Sequence, residues 1–409
     1  MGRLKIQSFF RRNSVTEKPG KTIQVGLIGY RFMGKAHSNA WLQAPHFFDL
    51  PALPVLHTIC GRSAEKTREV ADRWGWKHAV TDYREVTANP EIDLIDISTP
   101  NHAHWEQALA AAEAGKAIAC EKPLARTLGE ARQMAAAVKK ARVPNFVWFN
   151  YRRVPALALA RRLIEQGRIG KVYHVRALYL QSWLKDPNMP LIWRLSEKEA
   201  GSGPLGDLGA HSIDLIRYLT GDEFNEVCGL AHTFIKERPV GEMVEGLTAR
   251  APGGRKTHRA RVTVDDAVFF LARLKSGAIG TFEATRFATG HHNGNSLEIN
   301  GAKGALRFHF EDFSYLDFFD DTLPASEKGW RRISVTTGQD PYSGHYWPAG
   351  HVIGYEHTFI NTVADIVNRL AGKTREFHAD FEDGLRCQEV LEAVLASHRR
   401  RGWVAIKEV

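Results

Sequence analysis

The sequence predicts an α/β fold in two parts, and three observations support this prediction. Apolar runs alternate with helical patterns over residues 22–150, which is typical of a parallel sheet flanked by helices. From residue 151 onward, several alternating runs follow one another with glycine-containing turns, which indicates a large, open, mostly antiparallel sheet. A glycine turn of the kind that binds dinucleotides joins the first strand to the first helix. We therefore expect an N-terminal Rossmann dinucleotide-binding domain and a C-terminal α+β domain.

The first strand, turn and helix form an imperfect dinucleotide fingerprint. Ile23–Ile28 has the pattern of a buried parallel strand, and Lys35–Gln43 has that of a helix. Gly29 and Gly34 occupy the first and third glycine positions of G-x-G-x-x-G, with Phe32 and Met33 between them. Arg31 stands in the second position, where glycine normally lets the backbone approach a pyrophosphate. Arg31 either adds positive charge over the pyrophosphate or disables the site, and an ordinary βα turn remains the alternative.

The end of the predicted second strand bears on the choice of cofactor. Val55–Cys60 is followed by Gly61 and Arg62, where an NAD-selective site usually has an acidic residue that binds the ribose. Without that acid nothing repels a 2′-phosphate, and Arg62 can pair with one. Arg62 can equally stack on the adenine or face solvent. Both NAD and NADP are therefore expected as possible cofactors.

Two further strands bring polar residues to the same sheet edge. Glu91–Ser98 reads as a strand that runs into a loop expected along the nicotinamide, with Ser98, Thr99, Pro100, Asn101, His102 and His104. The two histidines have no carboxylate or cysteine at ligand spacing, so we expect no metal. Lys116–Pro123 is a short strand that delivers Glu121 and Lys122. A lysine after a buried strand is costly without a partner or a task, and its ammonium can stabilise a substrate alkoxide.

A second candidate catalytic group lies in the second part of the chain. Asp207 and His211 are four residues apart at the start of a predicted helix, so they share one face. A carboxylate there can orient the imidazole and stabilise its cationic form. The alternative is an acid that satisfies the helix N–H groups, with His211 packed in the seam between the domains. Spacing alone leaves these two interpretations equal.

Candidate substrate contacts combine arginines with aromatic rings. A Trp-Arg pair offers an apolar face for a sugar ring beside a donor that reads hydroxyl groups. The segment YWPAGHVIGYEH, residues 346–357, either lies over the sugar or docks a helix. The candidates are Arg152, Trp193, Arg194, Arg286, His351 and Tyr355.

Composition limits the partners and the compartment. The 409 residues suffice for two cores, and no window approaches the ~20 apolar residues of a membrane helix. The net charge of +9 is dispersed, and its two clusters lack interleaved aromatics, so we expect neither nucleic acid nor membrane as a partner. Four widely spaced cysteines and an N-terminus without an apolar core favour a cytoplasmic protein. Residues 1–21 are expected to be a disordered extension.

Five motifs in order resemble one enzyme family over most of the chain, from Ile23 to about Val404. They are GLIGYRFMGKAHSNAW, DISTPNHAH, CEKPLA, FNYRRVPA and GSGPLGDLGAHSIDLIRYL. Together they resemble the glucose–fructose oxidoreductase/inositol dehydrogenase/MocA (Gfo/Idh/MocA) family of sugar oxidoreductases, and within it the levoglucosan-type and related pyranoside dehydrogenases. The resemblance implies that Lys122, Asp207 and His211 are catalytic, and that the open sheet forms a homodimer or homotetramer interface.

The predicted sites draw on both parts of the chain. Substrate contacts are expected from Lys122, Arg152, Trp193, Arg194, Asp207, His211 and Tyr355. The cofactor is expected on Gly29, Arg31, Phe32, Met33, Gly34, Gly61, Arg62, Ser98, Thr99, Pro100, Asn101, His104, Glu121, Lys122 and Asn150.

Two functional hypotheses follow from these residues and the resemblance. The first is a nicotinamide-dependent dehydrogenase that oxidises a secondary hydroxyl of a pyranose-type sugar, anhydrosugar or glycoside, with His211 as base. The second is a glycosidase or lyase that uses bound NAD for transient oxidation at C3 and elimination, with no net redox change. In either case residues 22–150 would bind the cofactor, and residues 151–409 would bind substrate and mediate oligomerisation.

Overall fold

The structure is a computed structural model that describes residues 20–240, 242–243, 249–250, 258–374 and 379–409. Nineteen residues of the predicted N-terminal extension, 1–19, lie outside the described residues. No helix within these ranges is both long enough and apolar enough to cross a bilayer.

The first sheet is a six-stranded parallel sheet. Its strands are β1 (Thr22–Ile28), β2 (Leu53–Cys60), β3 (His78–Val80), β4 (Leu94–Ile97), β5 (Ala117–Cys120) and β6 (Asn145–Val147). They lie in the order β3-β2-β1-β4-β5-β6, and every neighbouring pair is parallel. This is the strand order of a dinucleotide-binding Rossmann sheet, so the predicted fold of this part is confirmed.

Helices connect these strands and cover the sheet. They are α1 (Phe32–Phe47), α2 (Ala64–Trp74), α3 (Tyr83–Thr87), α4 (Asn101–Glu113) and α5 (Leu128–Ala141). Helix α1 is longer than predicted at both ends. It starts directly after the extended Arg31 and includes Pro45 in its last turns. Helix α4 starts at Asn101, within the predicted loop, so Asn101 belongs to its first turn. Both helix starts therefore lie at the edge where the parallel strands end.

The second part of the chain contains all the remaining strands that the structure describes. In chain order they are β7 (Val172–Leu180), β8 (Phe224–His232), β9 (Glu237–Pro239), β10 (Glu242–Met243), β11 (Ala249–Arg250), β12 (Arg259–Arg261), β13 (Ala267–Leu274), β14 (Ile279–Thr285), β15 (Gly294–Gly301), β16 (Gly304–His309), β17 (Tyr315–Asp320), β18 (Trp330–Ser334) and β19 (Val404–Ala405). Nine of them form one sheet in the order β18-β17-β16-β15-β7-β14-β13-β8-β19. All its pairs are antiparallel except β7 with β14, so the predicted mostly antiparallel sheet is confirmed.

The helices of the second part pack on one face of this sheet and on the Rossmann domain. They are α6 (Pro155–Glu165), α7 (Glu197–Ala200), α8 (Ala210–Thr220), α9 (Tyr355–Leu370) and α10 (Phe381–Arg400). A π-helical turn, Leu205–Gly209, leads directly into α8. Side chains alternate along β13, where Val268 and Phe270 are buried while Phe269 and Leu271 are 45% and 48% exposed. One face of the sheet is therefore core, and the other is a partly apolar surface.

Helix α9 binds the two parts together. Its residues Phe359 and Val363 belong to the same buried cluster as Ile23 and Trp41 of the Rossmann domain. The C-terminal part of the chain thus covers α1 as well as its own sheet, and this contact places the start of α9 beside the dinucleotide turn.

Arg152, predicted to contact substrate, lies instead in a buried ion-pair cluster. Its Nε and Nη2 donate to the two oxygens of Asp214 at 2.9 and 2.5 Å, and its Nη1 donates to Asp383 at 3.2 Å. Asp214 lies on α8 and Asp383 lies on α10, so Arg152 ties the turn after β6 to both helices. Burial raises the pKa of Asp214, against the opposing effect of Arg152, because the interior disfavours its charge. Each of its three guanidinium nitrogens donates within this cluster, so the structure places Arg152 in a buried ion-pair cluster and not in the lining of the cleft described below.

Arg152→Met should destabilise the protein by about 3 kcal/mol or more, because it leaves buried carboxylates without their cation. The matched control is Arg400→Met, which breaks an exposed pair with Glu408 at 2.9 Å and should change stability by less than about 0.5 kcal/mol. The free energy of unfolding from urea titration measures both. Equal small losses of unfolding free energy in the two variants would show that the Arg152 cluster stabilises the protein no more than an exposed ion pair does.

Candidate active site

A cleft opens at the carboxyl ends of the parallel strands, where the two parts of the chain meet. Most of the predicted cofactor residues line it, together with the predicted Trp-Arg pair. These lining residues are Gly29, Arg31, Phe32, Met33, Gly61, Arg62, Ser98, Thr99, Pro100, Asn101, Glu121, Lys122, Trp193 and Arg194. Sequence reasoning missed several further lining residues, namely Tyr30, Thr81, Tyr83, Gln107 and Glu199.

The dinucleotide turn is built on two close approaches that only glycine permits. Gly29 has φ +106°, and a Cβ there would lie 2.8 Å from the carbonyl oxygen of Ser98. A Cβ on Gly34 would lie 2.2 Å from the carbonyl oxygen of Gly29. Gly34 therefore lets α1 start tightly against β1, although its own atoms do not line the cleft. The first N–H groups of α1 are then free to bind a pyrophosphate, so this turn fits a dinucleotide.

Arg31 and Arg62 stand at the mouth of the cleft. Arg31 is the extended residue that precedes α1, and its side chain makes no capping hydrogen bond. Both arginine side chains are exposed and line the cleft. Gly61 is required beside Arg62, because a Cβ there would lie 2.0 Å from the ring of Tyr30. This end of the cleft thus combines an aromatic ring with positive charge.

Two predicted cofactor residues do not line the cleft. His104 is buried on α4, with Nε2 2.9 Å from the carbonyl oxygen of Thr99 and Nδ1 3.2 Å from that of Pro123. Burial lowers the pKa of His104, against the opposing effect of the hydrogen bonds to these carbonyl oxygens. Asn150 is also buried and donates its side-chain amide to Thr358 Oγ1 at 2.7 Å. The His104 ring thus contacts the backbone of two loops, whereas the Asn150 amide binds a side chain of α9, and neither residue lies in the cleft lining, where the sequence analysis expected both.

Lys122 is held by Asp207, which lies in the π-helical turn. The lysine Nζ donates to the carbonyl oxygen of Asp207 at 2.9 Å and to Oδ1 at 3.1 Å. Arg194 donates to the same Oδ1 at 3.0 Å, and Arg286 donates to Oδ2 at 2.8 Å. Burial favours the neutral acid, but Arg194, Lys122 and Arg286 outweigh it and hold the pKa of Asp207 well below its ordinary value. Asp207 is therefore an anion shared by three cations.

His211 lies in the first turn of α8 beside this cluster and packs among aromatic rings. Its ring centroid is 4.4 Å from that of Tyr151 and 5.8 Å from that of Tyr179. Burial and the charge of Lys122 hold the pKa of His211 well below its ordinary value, against the opposing charge of Asp207. The imidazole is therefore neutral at neutral pH and able to accept a proton.

The predicted orientation of His211 by Asp207 is not seen. Both carboxylate oxygens of Asp207 receive hydrogen bonds from cations, and within the described residues no hydrogen bond joins Asp207 to the His211 ring. The π-helical geometry explains the difference, because the four-residue spacing that aligns side chains applies to an α-helix. Asp207 acts on His211 through its charge, while its contacts serve Lys122.

Of the remaining candidates, Trp193, Arg194 and Tyr355 line or border the cleft, whereas His351 does not. The guanidinium of Arg194 stacks on the ring of Trp193, with 4.6 Å from its carbon to the ring centroid. Tyr355, at the start of α9, stacks parallel to Phe32 at 6.3 Å, so it borders the cleft through a lining residue. His351 is exposed, and its Nδ1 lies 2.9 Å from the carbonyl oxygen of Pro348, away from the lining. Within the described ranges, no three or more His, Cys, Asp or Glu side chains are grouped as a metal site requires.

A buried charged network beneath the cleft was also missed. His37 Nε2 lies 3.0 Å from Glu121 Oε1, and its Nδ1 lies 3.0 Å from Asp96 Oδ1. The second oxygen of Glu121 accepts the backbone N–H of Lys122 at 3.0 Å. Asp96, inside the apolar run of β4, was a usable signal, because a buried carboxylate requires a partner.

This fold and this cleft define an oxidoreductase that binds a dinucleotide at the end of a Rossmann sheet. Residues 23–149 match the oxidoreductase family described as having an NAD-binding Rossmann fold, and residues 157–307 match the GFO/IDH/MocA C-terminal domain. The chain belongs to the Gfo/Idh/MocA family, which confirms the resemblance read from the five motifs.

Similar proteins align with almost the whole chain. Levoglucosan dehydrogenase of Pseudarthrobacter phenanthrenivorans is 40% identical over 391 residues, which cover 95% of this chain and 99% of that protein. A solved levoglucosan dehydrogenase complex with NADH and levoglucosan has a TM-score of 0.88 at 40% identity, and the alignment covers 95% of this chain and all of that one. A solved oxidoreductase domain protein from Kribbella flavida has a TM-score of 0.89 at 50% identity, covering 94% and 99%.

The charge of His37 should make stability depend on pH. Burial lowers its pKa, but Asp96 and Glu121, the charged groups that face the ring, raise it overall from 6.5 to about 9. A raised folded-state pKa contributes stability that is complete below pH 6.5 and is lost as pH rises through about 9. The free energy of unfolding of wild type minus that of His37→Gln should fall by on the order of 3 kcal/mol between about pH 6 and about pH 10. Urea titrations across this range measure it, and parallel pH profiles for the two proteins would exclude a charged His37.

Proposed function

We propose that this protein oxidises a secondary hydroxyl of a pyranose-type sugar, anhydrosugar or glycoside to a ketone, using a nicotinamide cofactor. The observation that carries the proposal is a neutral, buried His211 beside Lys122, whose Nζ is held 3.1 Å from the Asp207 carboxylate at the cleft. The relative solved with NADH and levoglucosan supports the substrate class, because levoglucosan is an anhydrosugar. The Trp193–Arg194 stack fits a sugar ring, since it offers an apolar face beside hydrogen-bond donors.

The chain's own groups divide the work of proton transfer. Lys122 donates a hydrogen bond from Nζ to the reacting hydroxyl oxygen and stabilises the alkoxide as it forms. His211 takes the hydroxyl proton, because burial and Lys122 keep its imidazole neutral before the reaction. Asp207 keeps the ammonium of Lys122 in place, and its negative charge favours the imidazolium afterwards. The cofactor, when bound, supplies the acceptor for the hydride.

The proposed cofactor is NAD, with NADP tested beside it. The Rossmann family that matches the chain is described as NAD-binding, and the solved relative contains NADH. Arg62 is exposed at the end of β2 and leaves room for a 2′-phosphate partner. The activity assay therefore requires NAD and NADP to be supplied separately.

Purified protein should reduce NAD catalytically in the presence of levoglucosan or another pyranoside. Reduced-nicotinamide absorbance and aglycone release are followed together, with free pyranoses, anhydrosugars and aryl glycosides as substrates. Accumulation of reduced cofactor without aglycone supports the dehydrogenase. Aglycone release without net reduction would replace it by the redox-neutral glycosidase, which the same lysine and histidine can serve.

Variants assign the reaction to the proposed residues. Lys122→Met and His211→Asn should each lower kcat by on the order of a hundredfold or more, because each removes a group that acts on the reacting hydroxyl. Lys139→Met, on the exposed face of α5, is the matched control and should retain wild-type kcat. Circular dichroism and thermal unfolding establish that the variants are folded. Full activity in either active-site variant would refute the proposed roles.

We also propose that the exposed face of the nine-stranded sheet forms a homodimer or homotetramer interface. Phe269 and Leu271 of β13 are about half exposed on this face, and Leu230 of β8, which pairs with Phe269, is 59% exposed. Adjacent exposed apolar side chains on a large sheet favour burial against a second copy.

Leu271→Arg should lower the oligomeric mass, because it places a charge in the apolar part of the proposed interface. Sedimentation velocity at several protein concentrations measures the mass of the variant and of wild type. Glu69→Arg, an exposed change on α2, is the control and should leave the mass unchanged. A monomeric wild type, or an unchanged mass for Leu271→Arg, would contradict the proposal.

A further inference from the structure

Three buried charged side chains form a chain beneath the cleft, and the proposed reaction does not use them directly. They are Asp96 on β4, His37 on α1 and Glu121 directly after β5. His37 and Asp96 have no exposed surface, and Glu121 is 4% exposed. Burying these charges is costly unless each is paired and hydrogen-bonded. The hydrogen bonds of Asp96, His37 and Glu121 therefore determine what this network holds in place.

Asp96 is the fixed end of the network. Its Oδ2 accepts the indole N–H of Trp41 at 2.7 Å, and its Oδ1 accepts that of Trp148 at 2.9 Å. His37 Nδ1 lies 3.0 Å from Oδ1 and 3.2 Å from Oδ2. Three donors, two on α1 and one in the segment after β6, hold this carboxylate, so it cannot turn without breaking several buried hydrogen bonds.

His37 must carry protons on both ring nitrogens. Each nitrogen faces a carboxylate oxygen at 3.0 Å, and a carboxylate is an acceptor only. The ring stacks on Trp148 at 4.0 Å and packs against Phe359 at 5.6 Å, which fixes its plane. An imidazolium between two anions, in this fixed plane, bridges Asp96 to Glu121.

Glu121 connects the bridge to the proposed alkoxide-stabilising residue. Its Oε1 faces His37, and its Oε2 accepts the backbone N–H of Lys122 at 3.0 Å. We infer that His37 is a positioning residue, which holds the Glu121 carboxylate and through it the backbone of Lys122. This inference rests on the proposed function for Lys122.

The position of His37 also links cofactor binding to the lysine. Helix α1 carries the dinucleotide turn at its first residues, Phe32 to Gly34, and carries His37 in its second turn. One helix therefore carries both the turn that fits a pyrophosphate and the histidine that holds Glu121. The hydrogen bond from the Lys122 backbone to Glu121 is called the clamp on Lys122.

The first test detects the imidazolium without any turnover. Protein labelled with 15N-histidine should show one histidine with both ring nitrogens protonated at pH 7, and His37→Gln should remove its signals. A His37 ring that carries a single proton at pH 7 would overturn the inference. Because this measurement needs no substrate, it separates failure of the inference from failure of the proposed function.

The second test uses kinetics. His37→Gln should lower kcat about tenfold or more, because a displaced lysine weakens stabilisation of the transition state. The KM for the sugar should change less than about threefold, because the proposed ring contacts, Trp193 and Arg194, do not touch the network. His57→Gln is the matched control, since it removes another buried histidine whose Nε2 faces a glutamate, the exposed Glu91, at 3.1 Å and away from the cleft. It should retain wild-type kcat.

A double-mutant cycle shows whether His37 acts through Glu121. Glu121→Gln alone should also lower kcat, and the double variant should be no slower than the slower single variant. Wild-type kcat in folded His37→Gln, an equal loss in His57→Gln, or additive losses in the double variant would each overturn the inference. If His37→Gln does not fold, Glu121→Gln carries the test, because a wild-type kcat there excludes the clamp.

Discussion

One carboxylate, that of Asp207, holds the candidate active site together. It receives Lys122 from the end of β5, Arg194 from the segment before α7, and Arg286 from the end of β14. These cations belong to different elements, and Arg286 is 1% exposed, so none of them could be buried here without the shared anion. Cations from the Rossmann domain and from the end of the second sheet thus meet at one carboxylate, in addition to the apolar contacts of α9.

The π-helical turn explains how one residue can serve so many partners. Asp207 offers Lys122 its backbone carbonyl as well as its carboxylate, and the wider turn exposes both groups. The proposed positioning residue, Asp207, and the proposed base, His211, are thereby different residues of one helical segment. Asp207 is occupied by cations, while His211, four residues later, is surrounded by aromatic rings and stays neutral. The cations keep Asp207 an anion, and the aromatic surroundings one turn later keep His211 a neutral base.

Local pattern predicted the parallel sheet, the glycine turn and the lysine at its edge, because each is encoded by neighbouring residues. Contacts between distant residues were not predictable in this way. Arg152 appeared free to bind substrate because nothing near it in sequence shows that Asp214 and Asp383 are its partners. The spacing of Asp207 and His211 suggested a direct pair, but spacing assumes α-helical geometry and cannot reveal cations 79 and 85 residues away. His37 was missed because a helical histidine gives no local sign of two buried acids.

Lys122 is fixed at both ends by carboxylates from opposite sides of the cleft. Glu121 accepts its backbone N–H on the Rossmann side, and Asp207 accepts its ammonium on the other. In an interior of low dielectric, charges of opposite sign must alternate, and they do so from Asp96 through His37, Glu121 and Lys122 to Asp207. A long, flexible side chain loses most of its conformational freedom under such constraints. Because the conformational entropy of the Lys122 side chain is lost during folding, the ammonium is already in place when a hydroxyl group arrives.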